Sequence, residues 1–118
     1  GKLIIAEGIP PSEDQDIIDW YTEMFKHKEV RRTFTRSLLV NYFVKNGFRD
    51  VKVYKYKMKR FNINNWLVNS GLDKAKQKLI LNMHLGASGK VKAAYRMKVE
   101  NGVCLVDTDN LIIVGNKD

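Results

Sequence analysis

The chain has 118 residues, with 21 Lys and Arg against 13 Asp and Glu, a net charge of +8 that admits nucleic acid, an anionic membrane surface or an acidic substrate without choosing among them. Its length fits one domain, residues 1–118, able to bury a real core, and a hydrophobic fraction of 44% excludes a disordered chain. One cysteine excludes an internal disulfide framework and, with two histidines, argues against a closed zinc site; no apolar run approaches the ~20 residues of a membrane span, no signal-type leader opens the chain, and a reducing, cytoplasmic setting is expected.

The first element is Leu3-Ile4-Ile5-Ala6. A continuous apolar run of this kind predicts a strand buried on both faces, as in parallel α/β sheets. Such a strand normally has neighbours made from earlier sequence, and here only Gly1 and Lys2 precede it. Gly8-Ile9-Pro10-Pro11 ends it. Ser12 stands three residues before Gln15, a capping-box spacing, and predicts the start of a helix carrying Ile17, Ile18, Tyr21, Met24 and Phe25 on one face. Acids crowd its first turn and Lys26, His27 and Lys28 its last, as the helix dipole favours.

Thr33-Phe34-Thr35 opens a second helix with Leu38, Leu39, Tyr42 and Phe43 on one face. Asn46-Gly47-Phe48 stops it: Gly47 suits the left-handed C′ position and Phe48 folds back as the apolar C″ residue. Val51 to Met58 reads as a strand. Its alternation changes phase, with Val51 and Val53 on one face and Tyr54, Tyr56 and Met58 on the other, which predicts a bulge or a change of environment.

Residues from about 61 to 99 read as a helical insertion. Asn62 to Val68 forms a short helix closed by Asn69-Ser70-Gly71. Asp73 caps a helix bearing Ala75, Leu79, Ile80 and Met83, which Gly86 breaks, and Ser88 caps a last one through Val91, Ala94 and Tyr95. The end is β: Met97–Glu100 and Val103–Val106 flank Asn101-Gly102, a strong hairpin signal, and Leu111–Val114 is a further strand ended by Gly115. The fold class is therefore α/β, in the order β-α-α-β, helical insertion, β-β.

These segments in this order resemble the C-terminal half of a class I S-adenosylmethionine-dependent methyltransferase. Gly1 to Gly8 is similar to that family's fifth strand. Asp19-Trp20-Tyr21 with Met24-Phe25 follows it, and Arg31-Arg32-Thr33-Phe34-Thr35 resembles the start of the helix before the sixth strand. Asn46 to Val51 is similar to the turn into that strand, and Leu111 to Gly115 resembles the seventh. Asn65-Trp66-Leu67 with Asn69-Ser70-Gly71-Leu72, and Ala94-Tyr95 with Met97, are similar to an insert of one bacterial and archaeal branch. The resemblance covers nearly the whole chain and implies the C-terminal part of a Rossmann-like methyltransferase sheet.

The family's cofactor site precedes its fifth strand, and this chain has no G-x-G-x-x-G or G-x-G-x-G. The resemblance thus implies S-adenosylmethionine for the parent enzyme and none bound by this chain alone, which is expected to be inactive by itself. It implies a small-molecule methyl acceptor, since the insert is lid-like and no nucleic-acid motif frames the chain. Methyl transfer from a sulfonium needs alignment and water exclusion more than a sharp catalytic motif.

Ligands of open α/β sheets bind beyond the carboxyl ends of strands, here Glu7-Gly8-Ile9-Pro10. Glu7 is the candidate pocket carboxylate, or else a solvated loop acid or a helix-terminus partner. Trp20 is either core and rim packing or a substrate wall. Arg31 and Arg32 either grip an anionic substrate or form a solvated turn. Asn65 and Trp66 lie in the possible lid, where Trp66 equally serves as an anchor to the core. His84 is a candidate base titrating near neutrality, or a structural helix-end histidine. Tyr95 reads as a packed helix residue with its hydroxyl at the rim, and Cys104 as a small buried hydrophobe. No metal ligands are assigned.

A rival reading is a basic nucleic-acid-binding module on strand 52–60, where Lys52, Lys55, Lys57, Lys59 and Arg60 interleave with Tyr54 and Tyr56. The phase shift divides these lysines between faces, and edge protection against aggregation explains them equally, so nucleic acid is disfavoured. A third reading is a non-catalytic oligomerisation module. An edge left open on the Leu3–Ala6 strand predicts a homo-oligomer that covers it.

Overall fold

The computed structural model describes residues 1–29 and 33–118. The elements run β1 (Lys2–Ile9), α1 (Gln15–Lys28), α2 (Arg36–Lys45), β2 (Arg49–Asn62), α3 (Ile63–Val68), α4 (Lys74–Leu85), α5 (Gly89–Ala94), β3 (Lys98–Glu100) and β4 (Val103–Asn116). The last strand lies in the middle: the sheet order is β1-β4-β2, with β3 also on β4, and every pairing is antiparallel.

β1 corrects the expectation of a doubly buried parallel strand. It pairs antiparallel with β4, Ile4 opposite Val114 and Ala6 opposite Ile112, and Ile4 remains 60% exposed. Leu3 and Ile5 face the other way and pack on the α2 core. The four-residue apolar run thus has one covered face.

β4 also departs from expectation. Two strands were predicted, over 103–106 and 111–114, yet one strand runs unbroken through Asp107-Thr108-Asp109-Asn110. Its two faces are used in turn. Cys104 and Val106 point into a core with Ile17, Tyr21 and Met24 of α1, Ile63 and Leu67 of α3, Ile80 of α4, and Val91 and Tyr95. Leu111 and Ile113 point the opposite way, into a second core with Ile9 and with Leu39 and Phe43 of α2. Burying an aliphatic or aromatic side chain of this kind contributes ~1.5–3 kcal/mol, so each helical layer is held by a handful of residues from one strand. Leu38 and Tyr42, expected on the buried face of α2, are largely exposed.

The local stops and starts follow short-range chemistry. Thr35, Asn62, Asp73 and Ser88 each accept the N–H three residues on, at 2.8–3.2 Å. Gly47 adopts φ +79°, the Phe48 N–H donates to the Phe43 carbonyl, and the two rings meet in a tilted contact at 5.1 Å. Asn101 and Gly102 both have positive φ, as a two-residue hairpin turn requires. Helix α1 begins two residues later than expected. Asp14 is its cap, accepting from the Asp16 N–H, while the Ser12 hydroxyl accepts from Asp14 instead. Lys90 of α5 bridges Asp14 and Asp16 and fixes the helix start there.

β2 is longer than the predicted 51–58, and its register slips at its two ends, between Arg49 and Lys52 and between Met58 and Phe61. Asp50 and Arg60 take positive φ at these bulges. No slip falls between Val53 and Tyr54, so the phase change there is one of environment: Val53 faces α2, and on the other face Tyr54 and Tyr56 are exposed while Met58 is half-exposed at the edge of a cavity. At the second bulge the Asp107 carboxylate accepts the Arg60 N–H, and the Arg60 guanidinium grips Glu100. This pairing holds Glu100 below its usual carboxylate range.

Candidate functional site

A cavity of about 150 Å³ lies where α1, α3 and α5 meet the sheet. Gly8 and Ile9, the carboxyl end of β1, form one side, with Thr108, Asp109 and Asn110 of β4. Tyr21, Met24, Phe25, Met58, Phe61, Ile63, Trp66, His84 and Tyr95 complete it. A Cβ at Gly8 would stand 3.5 Å from the Tyr21 hydroxyl and 3.6 Å from Asn110 Oδ1, ordinary contact distances, so Gly8 faces these two groups without a clash.

The polar residues around it come from several elements. Asp109 is buried, and its side chain points, like that of Glu7, to the α2 face of the sheet, where Lys57 directly opposite reaches its Oδ1 at 2.7 Å and Lys55 Nζ its Oδ2 at 3.4 Å. Both lysines keep their ammonium ends near water, so the carboxylate is neutralised from the sheet's outer strand. His84 is wholly buried on α4. Its Nδ1 lies 2.8 Å from the Ile80 carbonyl, and burial holds its pKa below the ordinary histidine value. Trp20 meets the His84 ring edge-on at 5.0 Å and Tyr95 at 5.8 Å. Burial also pushes the Tyr95 hydroxyl far above the usual tyrosine pKa, so it stays protonated. The Asp107 N–H donates to the Tyr95 carbonyl at 2.7 Å and pins the end of α5 to β4. The Asn64 amide oxygen accepts the Cys104 N–H at 2.9 Å and does the same for α3.

The sequence candidates are partly brought together. Trp66, His84 and Tyr95 line the cavity, and Trp20 backs it by holding two of them. Trp66 meets Phe25 and Phe61, with the Lys28 ammonium 5.2 Å from its ring. Glu7 does not join them. It lies opposite Leu111 on the α2 side of the sheet, because alternation along β1 sends it away from Gly8. Asn65 is an exposed α3 residue, engaged through its backbone with Asn62 and Asn69. Arg31 and Arg32 lie outside the described residues.

Two expectations need correction. His84 lies in the last turn of α4, in keeping with a structural histidine, but not as a base titrating near neutrality, because Trp20 and Tyr95 enclose it and burial disfavours its charged form. The Tyr95 side chain is inside the core and not at a rim. Cys104 is buried as expected, and burial raises its thiol pKa. Sequence reasoning missed Asp109, Asn110, Tyr21 and Phe61. The signal for the first two was a polar quartet, 107–110, between two apolar halves of what is one strand.

The rival basic face is split. Lys55 and Lys57 turn to Asp109, Arg60 is held by Glu100, and Tyr54 and Tyr56 project from the opposite side. Among the described residues, no group of three or more His, Cys, Asp or Glu side chains could hold a metal ion, and no helix is long and apolar enough to cross a membrane.

The chain superposes on two solved structures. One is an inferred methyltransferase from Bacillus halodurans C-125, with TM-score 0.77 and 13% identity over 98% of this chain and 55% of that one. The other is the YcgJ protein of Bacillus subtilis, with TM-score 0.79 and 14% identity over 100% of this chain and 52% of that one. No protein-family model matches the chain, and no curated protein matches it. The chain spans about half the length of the solved structures, and its mixed α/β sheet has the fold of part of a methyltransferase-like structure.

Proposed function

We propose that this chain is the C-terminal, acceptor-side portion of an S-adenosylmethionine-dependent methyltransferase that acts on a small molecule. The observation that carries this reading is the position of the cavity. It opens at Gly8 and Ile9, the carboxyl end of β1, where open α/β sheets bind ligands, in a chain whose fold is part of a methyltransferase-like structure. The helical segment of residues 63–95 supplies the cavity's Trp66, His84 and Tyr95 and gives it a wall separate from the sheet.

The cofactor itself does not fit here. A cavity of about 150 Å³ is well below the ~300–1,000 Å³ of pockets for drug-sized ligands. S-adenosylmethionine belongs to other sequence in the parent enzyme, and the residues here bind and enclose the acceptor. Transfer of a labelled methyl group from S-adenosylmethionine by the native gene product to a small, dialysable compound is the expected result. Label found only in macromolecules would sink the small-molecule reading. The 118-residue chain alone should neither turn over nor give heat when titrated with the cofactor.

β1 pairs with β4 on one side, and Ile4 beside its other edge is largely exposed. We propose that in the isolated chain a second copy covers this edge, and sedimentation should find a dimer or higher species. A clean monomer would refute it.

A further inference from the structure

At two places the backbone suits glycine and the chain carries arginine. Helix α5 ends in a left-handed turn: the Arg96 N–H donates to the Ala93 carbonyl, the Met97 N–H to the Lys92 carbonyl, and Arg96 holds φ +49° at the C′ position. In the second bulge of β2, Lys59 and Arg60 fall between the pairs Met58–Thr108 and Phe61–Val106, against Asp107 alone, and Arg60 holds φ +54°. A left-handed φ disfavours a residue with a Cβ, and glycine takes it without strain. The two arginines are far apart in sequence, yet both line one hollow of about 200 Å³, with Lys59, Lys98, Leu105 and Asp107.

The hollow holds more positive charge than the fold uses. Arg60 is matched by Glu100. Among the described residues, Lys59, Arg96 and Lys98 have no carboxylate within ion-pair distance, and Lys98 acts on Glu100 only at longer range. Against these three cations stands one carboxylate, Asp107, whose Oδ1 accepts the Arg60 N–H at 3.1 Å. The local excess is two positive charges.

Geometry narrows the anion. Along one face of β4, the pairs Glu100–Val103 and Lys98–Leu105 come before Asp107. A carboxylate thus stands beyond each end of the Lys98–Leu105 pair, and a run of phosphodiesters would meet one of them. A single terminal phosphate carries ~1.5–2 negative charges at neutral pH and matches the excess, whereas a phosphodiester or a carboxylate brings only one. The Arg96 fork suits two of its oxygens.

We propose that this hollow binds the dianionic phosphate of a phosphomonoester, held by Lys59, Arg96 and Lys98 beside Leu105. It lies on the opposite face of the sheet from the cavity, to which β4 contributes Thr108 and Asn110. It is a second site and does not rest on the acceptor-side reading.

The test titrates the 118-residue chain with methyl phosphate and with dimethyl phosphate, at neutral pH and one ionic strength. Backbone amides and arginine Nε–H groups are followed by proton–nitrogen NMR. The expected result is saturable binding of methyl phosphate at least ~3-fold tighter than the diester, the modest size proper to solvent-exposed ion pairs, with shifts centred on Lys59, Arg60, Arg96 and Lys98. Arg96→Gly should erase the preference and keep or raise the thermal midpoint, because it gives the C′ position its favoured residue. Loss of binding in that variant therefore cannot be loss of folding. Lys98→Gln should weaken methyl phosphate by a similar factor. Lys52→Gln removes a charge from the other face and should leave the affinity unchanged. Equal affinities for the two esters, shifts spread over lysines of both faces, or an Arg96→Gly chain that binds like the native one would overturn the proposal. Displacement of methyl phosphate from these residues by oligothymidine at physiological salt would overturn it too, in favour of nucleic acid.

Discussion

Lys57 Nζ lies 2.7 Å from Asp109 Oδ1, across the strand pair β2–β4, and the carboxylate it meets is only 3% exposed. Lys55 approaches the other oxygen at 3.4 Å. The two lysines remain about half in water, so the burden of desolvation falls on the acid. Lys57→Met alone should be mild, because Lys55 still compensates the charge. Lys55→Met with Lys57→Met leaves a buried carboxylate unpaired and should destabilise by ~3–5 kcal/mol, well beyond the sum of the single changes. Urea unfolding of the four species measures this; additive single effects would contradict it.

His84 gives the protein a pH-dependent stability. Burial lowers its folded pKa, so the unfolded chain binds the proton first as pH falls. Stability from this group is complete above the unfolded value of ~6.5 and is lost as pH drops from there toward the folded value. Asp14 and Glu100, held below their ordinary values by Lys90 and Arg60, titrate at lower pH and do not blur that window. Unfolding at pH 7.5 and pH 5.5 should differ for the native chain by more than for His84→Leu. Parallel curves would contradict the assignment.

Much of the chain's local structure was legible because one side chain decides it. Thr35, Asn62, Asp73 and Ser88 cap helices through a single N–H three residues away, and Asn101-Gly102 makes its turn unaided. The β4 strand was not legible across 107–110, because Asp109 is tolerated there only through Lys55 and Lys57, some fifty residues earlier. The enclosure of His84 was hidden for the same kind of reason: it comes from Trp20 of α1 and Tyr95, not from its own helix. Ser12 lost the cap to Asp14 because Lys90, far along the chain, supports the later start. The cavity residues gathered by α3, α4 and α5 were half visible. Aromatic and histidine candidates were found, and the sheet's polar contribution was hidden in what read as a loop.

Gly115 has no room for a side chain. A Cβ there would stand 2.6 Å from Phe43 Cδ2 and 3.0 Å from Phe48 Cβ. Phe43 is wholly buried and cannot swing into solvent. Gly115→Ala should therefore cost ~1–3 kcal/mol by overpacking. Phe43→Leu made in the same chain should recover part of that loss, so the double variant is more stable than the sum of single effects predicts. Thermal unfolding of the set is the measurement, and strict additivity would mean the clash is relieved elsewhere.

The strand of alternating lysines and tyrosines invites single-stranded nucleic acid, and its geometry argues for a weak response. Tyr54 and Tyr56 are exposed on one face, while Lys55 and Lys57 lie on the other, where they meet Asp109. Bases stacked on the tyrosines would meet only Lys52 on the same face of this strand's regular stretch. A chain of net charge +8 should still attract oligonucleotides at low salt, through charge alone. Stacking contributes ~1–3 kcal/mol per base, so true base binding would make Tyr54→Ala with Tyr56→Ala at least ~10-fold weaker. We expect fluorescence anisotropy with a labelled oligothymidine to give the same low-salt binding for the double variant as for the native chain. A tenfold loss would restore the strand as a nucleic-acid surface and count against the proposed small-molecule reading.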